Sequence, residues 1–284
     1  MYRFPGGTDG TCQAVAILEQ GGGYDTTDLD TDFQRLGLAT PTVTAVGVDG
    51  AVNAPGGDPN GADGEVLLDI EVVGALAPGA AITVYFAPNT DAGFLDALSE
   101  AAHATPTPAA ISISWGQSED DWTAQARTAL DQALRDAAAL GVTVTAAAGD
   151  GGSADRATGG PPHADFPASP HALACGGTRL DADPNTGRMT SEVVWNNGTT
   201  GGATSRGVTS TFPLPDWQTT AGLPHRTGGG GRGVPTSPPT PTRRPGTRSG
   251  STATTSSSAA PARYHHSGRP SSPGSPKRPV APSA

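Results

Sequence analysis

Residues 63–87 read DGEVLLDIEVVGALAPGAAITVYFA. Glu65–Ala77 is apolar almost all round, which predicts a buried helix. Pro78-Gly79 closes that helix, and Ala81–Ala87 follows as an apolar strand. The same alternation runs outward in both directions. Gln13–Glu19 reads as a buried strand ending at Gly21-Gly22-Gly23, and Thr42–Val48 as another. Downstream, Asp91–His103 is an amphipathic helix capped by Asn89, Thr90 or Asp91, and Ala110–Trp115 is a strand. Glu119–Leu140 reads as one long helix, and Val142–Ala148 as a strand ending at Gly149-Asp150. Strands alternating with helices predict an α/β fold: a doubly wound, mainly parallel sheet with helices on both faces. Ligands in such sheets sit beyond the carboxyl ends of the strands, here at Trp115-Gly116 and Gly149-Asp150.

Composition limits the rest. The chain has 284 residues, one or two domains by length. Its 40 Gly and 27 Pro are too many for one compact domain. No apolar run is long enough to span a membrane. Two cysteines, Cys12 and Cys175, exclude a disulfide scaffold and a four-cysteine zinc site; small buried thiols are expected. No signal peptide is visible at the N-terminus. The net charge of −10 divides sharply: residues 1–218 sum to −19, and residues 219–284 to +9 with no acid. Residues 219–284 also hold 12 prolines and few large apolar side chains, so they are expected to form a disordered tail behind a body spanning 1–218. The tail is solvated low-complexity sequence or a polyanion-binding arm; its scattered Arg residues lack interleaved aromatics. The acidic body argues against nucleic acid and suits acidic surroundings.

Several carboxylates in the body could carry chemistry. Glu65 and Asp69 are four apart on the buried helix and share one face. Apolar surroundings raise carboxyl pKa values, and two close carboxyls share one proton, as an acid-working base requires. The competing reading is an ordinary helix with partly exposed acids. Asp150, after a strand of small residues, could stabilise an oxyanion when protonated, or be a turn residue. Trp115 is a pocket wall or core, and Glu19 a site residue or a turn residue. His163 and His171 lack metal-ligand spacing and suit the surface.

Together these stretches resemble the sedolisin family of serine-carboxyl peptidases. The matching segments are LEQGGGYD (18–25), DGEVLLDIEVVGALAPGA (63–80), ITVYFAPNTDAGFLDAL (82–98), ISISWG (111–116), LGVTVTAAAGDGGS (140–153), HADFPASPHALACGGT (163–178) and VVWNNG (193–198). The resemblance implies a subtilisin-like fold and an acid-acting endopeptidase whose serine is activated by Glu and Asp. By that resemblance Glu65 is the general base, Asp69 orients it, and Asp150 is the oxyanion-hole acid. Glu19 and Trp115 extend the proton network, Trp115 also binds substrate, and Asp165 lines the pocket. A carboxylate of ordinary pKa stays partly ionised near pH 4, where a His base would be protonated. The resemblance further implies a peptide or protein substrate, a calcium site, an N-terminal prodomain, a monomer and secretion. Subtilisin itself is disfavoured, because Asp150 stands where Asn is expected.

The family's Gly-Thr-Ser-Ala nucleophile motif and the calcium site after it do not occur in this sequence. The resemblance stops after Gly231-Arg232-Gly233-Val234-Pro235. Residues from about Thr236 onward are expected to be an out-of-frame translation. In one shifted frame Val234–Thr252 permits PDVAANADPATGYEVRVD, and Ser258–Gly268 permits GGTSAVPPLW. The serine codon would straddle Pro261 and Ala262. The expectation is a domain truncated on its C-terminal side, without nucleophile or metal site. It is inactive, or else a non-catalytic peptide-binding remnant.

Overall fold

The computed structural model describes residues 5–154, 168–198, 201–223 and 231–235. Six parallel strands form one sheet: β1 (Ala14–Glu19), β2 (Val43–Gly47), β3 (Ala81–Phe86), β4 (Ala110–Ile113), β5 (Thr143–Ala147) and β6 (Leu173–Cys175). Their spatial order is β2-β3-β1-β4-β5-β6, and every pairing is parallel. The sequence alternation sets which side chains face which layer. Ile17, Ile82, Val84 and Phe86 meet Leu29 and Phe33 of α1 (Thr26–Leu36) and Val66 and Ile70 of α2 (Ala62–Leu76). On the opposite face Leu18, Tyr85, Ile111, Ile113 and Val144 meet α3 (Asp91–Ala102) and α4 (Ala124–Ala139). This is the expected doubly wound architecture.

Helix ends follow from local chemistry. Asp25 caps α1, its side chain accepting from the Thr27 amide, and Gly37 ends the helix at φ 70°. Thr90 caps α3. Helix α2 begins at Gly61 with no side-chain cap. Asp63 supports it instead, its buried carboxylate accepting from the amides of Gly23, Gly56 and Asp58. One side chain thereby ties the loop after β1 and the loop before α2 to the helix start.

Four expectations are corrected. Helix α1 adds an element to those foreseen. The helix expected over Glu119–Leu140 is two pieces: a short 3-10 turn (Glu119–Asp121), then α4. Thr123 caps α4 through the Ala126 amide, after Trp122 takes an extended conformation. The strand expected to reach Trp115 ends at Ile113. Cys12 and Cys175 are free and exposed rather than buried. They stand at strand margins, Cys12 before β1 and Cys175 at the end of the sheet's outer strand.

The boundary at residue 218 is also corrected. Strand β10 (Gly231–Val234) lies inside the segment expected to be disordered, yet all four residues are buried. It pairs antiparallel with β9 (Gly207–Pro213); β7 (Thr178–Ala182) and β8 (Met189–Val194) form a further hairpin. Composition treats arginine as exposed, but Arg232 is fully buried. Its guanidinium donates to the carbonyls of Ser169 and Ala172 and lies 5.8 Å from the Trp217 ring. Burial pulls its pKa down to about 10. The rest of the expected tail, residues 224–230 and 236–284, lies outside the described residues.

Helices α1 and α2 touch at Gly74. A Cβ there would lie 2.6 Å from Phe33 Cζ and 2.8 Å from Pro41 Cγ. Gly74→Val is expected to cost roughly 1–3 kcal/mol by overpacking, read as a lower urea midpoint. An unchanged midpoint would mean that α1 moves off α2 freely.

Candidate active site

The carboxyl ends of β1, β4 and β5 converge where the strand order reverses, and α2 crosses beside them. Glu19 closes β1 and is fully buried. Its Oε2 accepts from Trp115 Nε1 at 2.6 Å. Trp115 stands two residues past β4, directly after Ser114. The Ser114 hydroxyl lies 2.7 Å from Asp69 Oδ2 and 3.0 Å from Oδ1. Asp69 and Glu65 stack one turn apart on α2, as the four-residue spacing predicts. Asp150 follows β5 closely enough that its charge acts on Glu65. The structure therefore brings Glu19, Glu65, Asp69, Trp115 and Asp150 together. Asp165 and His163 lie outside the described residues. His171 is exposed, 3.1 Å from Arg135 Nε, and stands apart from this group.

Burial dominates the electrostatics. Desolvation first, and then the Asp69 charge, push Glu65 up to about 8. Desolvation raises Asp69 to about 6, against the lowering effect of the Ser114 hydroxyl. Glu19 is driven well above the usual carboxylate range by burial and by Asp69, with Trp115 opposing. Among the described residues, no cation is named among the groups that shift these three acids. Both members of the pair are thus raised, chiefly by their burial, in the direction that their apolar surroundings predict.

Two features escaped the sequence reading. Ser114 is one; the ISIS alternation puts it on the face opposite Ile111 and Ile113, toward α2, which was the available signal. The other is the strap formed by residues 203–205. The Ala203 amide donates to the Asp150 carbonyl, the Ser205 amide to the Gly149 carbonyl, and the Ser205 hydroxyl accepts from the Gly151 amide. These bonds fix the turn carrying Asp150. No short-range pattern announces them, because they join segments more than 50 residues apart.

The chain is 58% identical over 239 residues to kumamolisin from a Bacillus species, covering 82% of this chain and 43% of that protein. The chain belongs to the sedolisin family. It is also 27% identical to a tripeptidyl-peptidase of Aspergillus fumigatus, over 78% of this chain and 42% of the relative. The solved structure of Pseudomonas sedolisin, a serine-carboxyl proteinase complexed with two molecules of pseudo-iodotyrostatin, matches with a TM-score of 0.69 and 27% identity. That match covers 81% of this chain and 66% of the solved one. No family model matches. This sedolisin thus spans less than half the length of the two curated relatives. Among its described residues no three metal-ligating side chains are grouped to hold an ion. Among the described residues, no helix is long and apolar enough to cross a membrane.

Proposed function

We propose that this chain derives from an acid-acting serine endopeptidase that cleaves peptide bonds through a Ser-Glu-Asp centre. The observation that carries the reading is the convergence of Glu65, Asp69 and Glu19 at the strand ends, with Asp150 acting on Glu65. In this reading Glu65 takes the proton of the attacking hydroxyl and Asp69 orients Glu65. Asp150, when protonated, donates to the oxyanion that forms on the scissile carbonyl. Trp115 and Asp165 contact substrate.

The chain as translated carries no Gly-Thr-Ser-Ala motif, so we read it as lacking its nucleophile and as inactive. Lineage and the acidic body support action outside the cell as a monomer, with folding assisted by a prodomain.

The test is peptide cleavage near pH 4 in the presence of pepstatin. The chain is expected to give no turnover. Turnover that survives Glu65→Ala would sink the assignment of the base. Turnover abolished by Glu65→Ala would instead sink the inactivity and keep the centre.

A further inference from the structure

We propose that Glu119 is a positioning residue: its buried carboxylate clamps β9 to the segment after β4 and so fixes the two halves of the site relative to each other. This role rests on the reading of Glu65, Asp69 and Asp150 as one centre, and adds a residue outside them.

The site hangs on two arms. One is the segment after β4, where Ser114 bonds Asp69 and Trp115 bonds Glu19. The other is the strap 203–205, which holds the turn carrying Asp150. Both arms run within a few residues into the same contact. Glu119 lies five residues after Ser114, and Thr209 lies four after Ser205. Glu119 Oε2 accepts from the Thr209 hydroxyl, and Oε1 accepts from the Ser210 amide at 3.0 Å. Glu119 and Thr209 are only 3% and 1% exposed.

The contact is built rather than incidental. The Thr209 hydroxyl oxygen accepts from the Thr211 amide at 2.9 Å and from the Phe212 amide at 3.4 Å. A hydroxyl has two lone pairs and one hydrogen, so with both lone pairs engaged the hydrogen is committed to Glu119. The backbone of Glu119 is held as well. Arg127 of α4 donates through Nη1 to the carbonyls of Glu119 and Trp122, and the Asp121 amide donates to the Ser118 carbonyl at 3.0 Å. Glu119 thus reaches from a fixed turn to β9. A buried carboxylate is costly unless its oxygens are bonded, so the turn and β9 resist separation. A shift of about 1 Å between base and oxyanion acid would cost on the order of a hundredfold in rate, which is what such a clamp guards against.

The experiment is hydrogen exchange of the full chain at one fixed pH, read by NMR. Trp115 Nε1–H reports the first arm, the Gly151 amide the second, and the β1 amides the fold as a whole. Thr209→Val removes the committed hydrogen and keeps the volume. Trp115 and Gly151 are then expected to exchange roughly tenfold faster or more, since loss of a bond to a charged group shifts a local opening by that much. The β1 amides should change less. Thr209→Ser keeps the hydroxyl and should leave both reporters at the unmodified rate. Glu119→Gln keeps an acceptor for Ser210, puts an amide nitrogen before the Thr209 hydroxyl, and should behave like Thr209→Val. Reporters that accelerate only in step with the β1 amides, or one that stays unmoved, overturn the proposal, because Glu119 then serves stability alone. If neither Thr209→Val nor Glu119→Gln folds, the clamp belongs to the fold and not to the site, and the proposal fails too. No turnover is read, so failure of the peptidase reading and failure of this inference are separately visible.

Discussion

Raising the pH from 4 to 8 is expected to destabilise the folded chain by several kcal/mol, lowering Tm on the order of 10 °C. The sign follows from the buried acids. Glu65 titrates at about 8 in the fold against an ordinary value of 4.5. Its contribution is fully present below 4.5 and is lost as the pH rises through about 8. Asp69 acts in the same sense between 3.8 and about 6. Taken alone these shifts correspond to at most ~5 and ~3 kcal/mol, and the shared charge makes the joint effect smaller than their sum. Glu71 adds to the trend: burial and the neighbouring Asp32 hold it near 7, while Arg35 pulls the other way. It is substantially solvated, so its share is small. Asp9, Asp25 and Asp183 are lowered by local hydrogen bonds and oppose the trend, but all three are fully exposed. Calorimetry at half-unit pH steps checks the result. A Glu65→Gln, Asp69→Asn double variant should show a much flatter profile. A Tm that rises toward neutral pH would mean that water reaches these acids in solution.

What the sequence disclosed and what it hid have separate physical causes. Strands β1 to β5 and helices α2 and α3 were legible because local apolar periodicity specifies them. Helix α1 hid behind polar residues; only Leu29 and Phe33 of its eleven residues are buried. The break before α4 depends on Glu119, which bends away to accept from the Ser210 amide and the Thr209 hydroxyl of β9. Those partners lie about 90 residues on, beyond any local pattern. Strand β10 reads Gly-Arg-Gly-Val and has almost no apolar signal of its own. Its burial depends on Arg232 finding two carbonyls and on Gln218 bonding both the amide and the carbonyl of Gly233. At the site, the Glu65–Asp69 spacing was legible from helix geometry. The protonation state was not, because it depends on which donors surround the pair in space.

Restoring the shifted frame after Val234 is expected to raise the rate of peptide cleavage by several orders of magnitude over that of the present chain. Resequencing the gene across the codons for Arg232–Gly268 should reveal an inserted or deleted base. An uninterrupted, verified frame encoding the present residues would defeat the idea. In the described fold burial and the Asp69 charge push Glu65 up to about 8, outweighing the lowering effect of Ser114. The shifted reading GGTSAVPPLW would supply a serine hydroxyl, and a hydroxyl donating to a carboxylate stabilises its ionised form. The shifted-frame segment would therefore do two things at once: bring the nucleophile, and lower the base. The restored protein should accordingly show a Glu65 midpoint well below the present one in a carboxyl-carbon NMR titration of the chain labelled in Glu. Substituting the restored serine by alanine should abolish cleavage and push that midpoint back toward 8. If cleavage returns while the midpoint stays near 8, the serine has been recovered, but its partnership with Glu65 is refuted.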